Sequence, residues 1–208
     1  MGDAPVERPR GFLKLSGLDR RGPTAAETES GAPLHPWTIP NLIGYVRIAL
    51  IPVFLVTALS SDTGTEPLPA VLFALIGWGD YFDGLAARLT GQYSRLGALM
   101  DPVIDRLLVI SGVIVCWKFE LLSRPLLAIL IAREVFMLIA GRIALGRSRE
   151  LRINYIGRLA VLPVMASLFM GLVGLRTAGN ITLLIGVAMA LAATALYIRD
   201  FATPSTHG

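Results

Sequence analysis

From Pro36 to Arg199 long apolar stretches alternate with short polar breaks, and the stretches run close to the roughly 20 residues that a helix needs to cross a bilayer core. They predict six helical spans, at about 38–60, 67–90, 95–117, 124–146, 154–175 and 180–199. Pro40, Pro52, Pro102 and Pro163 fall inside or at the starts of these spans. Membrane helices tolerate proline better than soluble ones, because neighbouring groups satisfy the freed backbone. The first 36 residues break the pattern: they are polar, carry Pro and Gly throughout, and set Arg8, Arg10, Lys14, Arg20 and Arg21 against Asp3, Glu7, Asp19, Glu27 and Glu29. No apolar core of signal-peptide length occurs there, so this segment reads as a retained cytoplasmic tail. Phe12, Leu13, Leu15 and Leu18 are spaced for a short interfacial helix, with a mobile tail as the plain alternative. The expected organisation is a tail over 1–36, an all-α integral membrane domain of six transmembrane helices over 37–200, and a tail over 201–208.

Composition sharpens this picture. Counted with glycine and without tyrosine, the apolar share is about 62%, against about 45–50% in soluble domains, and 16% of residues are charged where about 25% is usual. Lipid is the expected solvent. Despite the formal charge of +4, no nucleic-acid partner is expected. The lone Cys116 closes no internal disulfide and builds no thiolate metal site. His35 and His207 lie in the terminal segments, so any catalysis in the body of the chain runs on carboxylates and arginines.

Charge also orients the spans. With the N-terminus inside, the inner segments hold the five tail cations, then Arg88 and Arg95, then Arg142, Arg147, Arg149 and Arg152, and finally Arg199; the outer loops hold Lys118, Arg124 and Arg176. Twelve against three puts both termini, and the turn between spans two and three, on the cytoplasmic side of the inner (plasma) membrane.

Spans two and three carry the chemistry. On a helix, Asp80, Asp83, Gly84, Ala87 and Arg88 share one face, and Gly97, Asp101 and Asp105 form a single row one turn apart. The short turn from Gly91 to Ser94 makes the two helices antiparallel. At ~1.5 Å per residue, Asp83 and Asp80 then stand about 10 and 15 Å above Thr90, level with Asp101 and Asp105 at about 9 and 15 Å above Arg95. Near 5 Å apart in a medium of effective dielectric about 20, each ionised pair costs about 3 kcal/mol, so the cluster calls for cations. Oxygen ligands without His or Cys favour Mg²⁺ or Mn²⁺, with Ca²⁺ as an impostor. Four carboxylates suffice to share two divalent ions, an arrangement suited to in-line phosphoryl displacement. The two glycines leave room for a flat base or a diphosphate at the backbone. Two other readings stand beside this one: ion pairing with Arg88, Arg95 and Arg106 inside a helix bundle, and a proton or cation pathway in a small channel or carrier. A pathway predicts acids spread over several helices to mid-bilayer, whereas these cluster at the cytoplasmic end of one hairpin.

The stretch Asp80-Tyr-Phe-Asp-Gly-Leu-Ala-Ala-Arg88, followed at the right intervals by Gly97, Asp101 and Asp105, resembles the D-x-x-D-G-x-x-A-R-x8-G-x3-D-x3-D signature of the CDP-alcohol phosphotransferase family at every fixed position. The motif covers 26 residues, and six spans with cytoplasmic termini resemble that family's fold over about 38–199. The resemblance implies a membrane enzyme, commonly a homodimer, that moves a phosphatidyl or similar group from a CDP-linked lipid such as CDP-diacylglycerol to an alcohol and releases CMP. It implies that Asp80, Asp83 and Asp101 bind two metal ions, and that Asp105 touches metal and acts as general base on the acceptor hydroxyl. Gly84, Arg88 and Gly97 would line the CDP pocket, Arg88 near the diphosphate.

For the acceptor, Ile39-Pro-Asn-Leu-Ile-Gly-Tyr-Val-Arg47-Ile-Ala-Leu-Ile-Pro52 is similar to the opening of the glycerol 3-phosphate and cardiolipin-forming branches, and Ala132-Arg133-Glu134 to the glycerol 3-phosphate enzymes. Gly157-Arg158-Leu-Ala-Val departs from the Gly-Lys followed by Lys-Thr that those enzymes often carry. Arg133, Arg142 and Arg158 are the candidates to grip an acceptor phosphate, because arginine bonds phosphate bidentately. The leading expectation is a phosphatidylglycerophosphate synthase using glycerol 3-phosphate; the alternatives are phosphatidylglycerol as acceptor, giving cardiolipin, and an inositol phosphate or other polar alcohol. Arg47, deep in span one, is expected to face the bundle interior as an ion-pair partner.

Overall fold

A computed structural model describes residues 36–90, 94–146 and 155–202, and among these every regular element is a helix. There are six: α1 (Ile39–Leu59), α2 (Pro67–Thr90), α3 (Arg95–Lys118), α4 (Arg124–Gly146), α5 (Tyr155–Leu172) and α6 (Arg176–Ala202). The apolar stretches therefore mark the elements to within a residue or two at most ends. Two expectations shift. The fifth span stops at Leu172 rather than near 175, and the sixth starts at Arg176 rather than 180. Gly174 is responsible: it takes φ +80°, its N–H donates to the Gly171 carbonyl at 3.0 Å, and the Leu175 N–H reaches back to Met170 at 2.8 Å. That pair of bonds closes a Schellman cap, so α5 ends cleanly and α6 follows at once. Apart from Pro36 the expected N-terminal tail lies outside the described residues, as does the C-terminal tail beyond Ala202, where α6 ends.

Side-chain caps open α1 and α3. The Thr38 hydroxyl accepts from the Asn41 N–H, and the Ser94 hydroxyl accepts from the Gly97 N–H at 3.0 Å, three residues into α1 and α3 respectively. Pro52, Pro102 and Pro163 sit inside α1, α3 and α5 without ending them.

The fold divides into two units. The first holds α1 to Thr57, α2 from Val71, and α3 to Ser111. Its core is Ile51, Phe54, Phe73, Ile76, Ile104 and Leu108, all buried, with the Phe54 and Phe73 rings tilted against each other at 5.5 Å between centroids. Gly44 lets α1 approach α3: a Cβ there would meet the Met100 methyl at 2.7 Å. The second unit holds residues 58–70, the remainder of α3 and helices α4–α6. Leu121, Leu127, Leu168, Leu172 and Leu183 fill its core. Gly186 brings α6 onto the backbone of α5, its Cβ direction ending 3.1 Å from the Val164 nitrogen.

By length and composition three helices among the described residues suffice to cross a membrane: Ile39–Leu59, Pro67–Ala87 and Arg176–Leu196. Helices α3 and α4 are long enough, but Arg95, Asp101, Asp105 and Arg106 lower the hydropathy of one, and Arg124, Arg133, Glu134 and Arg142 that of the other. Even so, α3 turns Leu99, Val103, Leu107, Ile110 and Ile114 outward as an exposed apolar stripe. A helix facing water would carry polar groups along such a stripe. The chain is thus built as a multi-pass membrane protein.

Candidate active site

Asp101 and Asp105 stand one turn apart on α3, and their side chains are 41% and 37% exposed. Between them and α2 lies Arg47, which α1 buries to 2% exposure. Its Nη2 donates to the Asp105 carboxylate at 3.4 Å, and its Nη1 stands 4.0 Å from that of Asp101. Its Nε donates to the Ile76 carbonyl of α2 at 2.9 Å. A charge at this depth in an apolar helix needs both a counter-ion and a hydrogen-bond acceptor, and Arg47 has them.

The seat for Arg47 is cut by a glycine. Gly79 precedes Asp80 in α2, and a Cβ on it would fall 2.5 Å from the Arg47 Cδ and 2.7 Å from Nε. The arginine stem therefore lies on the α2 backbone where the acidic motif begins. Arg106, next to Asp105 in sequence, is exposed instead. Helix α2 continues unbroken through Asp80, Asp83, Gly84 and Arg88, which keeps the four on one helical face. Gly84 is half-buried. The side chains of Asp80, Asp83 and Arg88 lie outside the described set, as do those of Arg142 in α4 and Arg158 in α5.

Gly97 has a protein neighbour. Asn41, 1% exposed, points its carboxamide oxygen at the Gly97 Cα, where a Cβ would come within 2.8 Å. That oxygen accepts from the Ser94 hydroxyl at 2.7 Å, and the carboxamide nitrogen donates to the Pro36 carbonyl at 3.3 Å. One buried asparagine thus ties the start of α1 to the cap of α3. Sequence reasoning singled out neither Asn41 nor Ser94 nor Gly79; a polar residue inside an apolar span was the available signal for Asn41.

Among the proposed acceptor arginines, Arg133 is described. It pairs with Glu134 beside it, and its Nε donates to the Thr194 hydroxyl of α6 at 3.2 Å. The Thr194 hydroxyl in turn donates to the Ala190 carbonyl at 2.9 Å. The Arg133 side chain is 15% exposed, and its guanidinium is engaged by protein partners.

Among the described residues no three His, Cys, Asp or Glu side chains gather closely enough to hold a metal ion. Asp101 and Asp105 still fit one chemically. They are hard oxygen donors in register on one face, partly open, and held beside the helix that carries the other two aspartates. What the arrangement can do is hold two carboxylates on one helix face with a fixed positive charge behind them.

The chain is similar to known proteins. A cardiolipin synthase (CMP-forming) of Streptomyces coelicolor is 34% identical over 133 residues, which cover 62% of this chain and 61% of the relative. A CDP-diacylglycerol–glycerol-3-phosphate 3-phosphatidyltransferase of Bacillus subtilis is 28% identical over 135 residues, 59% of this chain and 70% of that one. A cardiolipin synthase (CMP-forming) of Rattus norvegicus is 36% identical over 107 residues, 51% of this chain and 34% of the rat protein. The match thus spans less than two thirds of the Streptomyces and rat relatives' length. Residues 37–196, which take in all the acids of the site and five of the six helices in full, match the profile described as CDP-alcohol phosphatidyltransferase, and the chain belongs to that family.

Proposed function

We propose that the chain transfers the phosphatidyl group of CDP-diacylglycerol to glycerol 3-phosphate and releases CMP, in a six-span membrane domain with the site and both termini on the cytoplasmic side. The observation that carries this reading is the Asp101–Asp105 row, held by Arg47 against the helix that bears Asp80 and Asp83, in a chain of this family. Asp80, Asp83, Asp101 and Asp105 would hold two divalent ions, Mg²⁺ or Mn²⁺. Bound there, such ions supply positive charge against the diphosphate and the departing CMP.

The residues of the chain do the rest. Arg88, two turns below Asp80 on the same face, offers a fork of N–H donors to the diphosphate. Asp105 takes the proton of the acceptor hydroxyl as its oxygen bonds to the phosphatidyl phosphorus and the bond from that phosphorus to the CMP oxygen breaks. Gly84 and Gly97 would lie along the nucleotide, Gly97 with Asn41 as its neighbour. Arg142 and Arg158, at the cytoplasmic ends of α4 and α5, would draw in the acceptor phosphate. A homodimer is the assembly that the family resemblance implies.

A second reading, with phosphatidylglycerol as acceptor and cardiolipin as product, has observations of its own. Arg133 is already engaged by Glu134 and Thr194, which removes one candidate grip on a soluble dianion. Relatives named cardiolipin synthase are also more similar than the glycerol-3-phosphate enzyme, at 34–36% against 28% identity. The deciding experiment gives the purified protein CDP-diacylglycerol, Mg²⁺ or Mn²⁺ and either acceptor, and follows CMP release and the lipid product. Phosphatidylglycerophosphate from glycerol 3-phosphate upholds the first reading. Cardiolipin from phosphatidylglycerol, with glycerol 3-phosphate ignored, replaces it by the second.

A further inference from the structure

We propose that Arg47 is a positioning residue of the carboxylate site: a fixed cation that sets the Asp101–Asp105 row against α2 and shares those carboxylates with the divalent ions, so that its charge weakens metal binding while its geometry supports turnover. The proposal rests on the reading above.

Three features of the arginine support it. It is fixed rather than merely paired, because Nε is anchored on the Ile76 carbonyl at 2.9 Å while the two Nη atoms face Asp105 and Asp101 at 3.4 and 4.0 Å. Arginine alone among the cationic side chains offers donors in such a rigid fork; a lysine in the same place would have one ammonium for all three acceptors. It is also buried at 2% exposure, so solvent screens its charge less than that of a surface arginine. And α2 is shaped for it, since a side chain at Gly79 would collide with Cγ, Cδ and Nε.

Two opposite consequences follow from one position. A guanidinium beside carboxylates repels a cation bound by the same carboxylates, so removing it strengthens metal binding. Removing it also frees the Asp105 carboxylate to turn, and a misplaced base or ligand slows the reaction. A residue that only stabilised the fold would not part these quantities: its loss would lower metal binding and turnover together through the folded fraction.

The test uses the full chain in detergent, with Mn²⁺ affinity read calorimetrically without substrate and CMP release read separately with CDP-diacylglycerol. Arg47→Gln is expected to bind Mn²⁺ about tenfold more tightly than wild type and to lose about 100-fold in kcat. Arg47→Lys, which keeps the charge and loses the fork, is expected to hold Mn²⁺ affinity within about threefold and to recover part of kcat. Gly79→Ala leaves every charge in place and pushes the arginine aside; it should lower kcat about tenfold with Mn²⁺ affinity again within about threefold, and it keeps the test open should Arg47→Gln fail to fold. Unchanged or weaker Mn²⁺ binding by Arg47→Gln overturns the proposal, and so does wild-type kcat in Arg47→Gln or Gly79→Ala. If the wild-type protein binds Mn²⁺ but releases no CMP with any acceptor, the proposed activity falls, and the Mn²⁺ affinities alone still decide for or against Arg47.

Discussion

Among the described residues several buried polar side chains hold named partners, which makes single substitutions at them costly in different ways. Asn41 and Ser94 form such a pair: the Ser94 hydroxyl caps α3 through the Gly97 N–H and donates to the buried Asn41 oxygen. Ser94→Ala removes the cap, at about 1 kcal/mol, and takes from the buried Asn41 oxygen the hydroxyl that donates to it, at about 1 kcal/mol more. A clear drop in thermal midpoint in detergent is expected, and a midpoint equal to wild type would show that the asparagine finds another donor. Asp105 behaves differently, being partly open. Asp105→Asn keeps a ligand oxygen and an acceptor for Arg47 but cannot take a proton at neutral pH, so CDP-lipid binding should survive while kcat falls by about 10²–10⁴. Near wild-type turnover would move the base elsewhere.

Left-handed backbone lies where one helix ends and the next begins. Gly174, at φ +80°, has open space around its Cβ direction, so Gly174→Ala introduces no collision and only the left-handed backbone penalty, roughly 1–2 kcal/mol. Gly64, at φ +72°, also faces the Phe119 ring, 2.4 Å from where a Cβ would sit. Gly64→Ala should therefore lower the thermal midpoint further than Gly174→Ala, and the reverse order would refute the account. These ends also show what the sequence made legible. Hydropathy located the six helices because each needs a long apolar surface, and it misplaced the α5–α6 junction because a left-handed glycine is a backbone property with no hydropathy signature. The spacing of Asp101 and Asp105 on one row was readable because a helix repeats every 3.6 residues. That Gly97 faces Asn41, and that Gly79 admits Arg47, was not readable, since both depend on which helix packs on which. Composition alone, in turn, credits three helices among the described residues with crossing a membrane, because the charges of α3 and α4 lower the average on which that count rests.

At the scale of the whole molecule, counting charges and counting apolar windows give topologies that can be told apart. Six crossings place the segments around Asp62 and Arg176 outside and the turn after Thr90 inside, in keeping with twelve cations against three. Were only α1, α2 and α6 to cross, Asp62 would still be outside and Thr90 inside, but Arg176 would stay inside and the C-terminus would be carried out. Arg176 is therefore the informative position. Asp62, Thr90 and Arg176 are all exposed, and Cys116 is buried, so the wild-type chain gives little labelling background. Ser94, although it lies at the same turn as Thr90, is buried and bonded to Asn41 and would report poorly. With a membrane-impermeant maleimide on intact cells, Asp62→Cys and Arg176→Cys should be labelled, and Thr90→Cys should react only after the cells are opened. A protected Arg176→Cys beside a labelled Asp62→Cys would reduce the crossings to three. Labelling of Thr90→Cys on intact cells would turn the molecule over and put the aspartates on the far side from a soluble cytoplasmic acceptor.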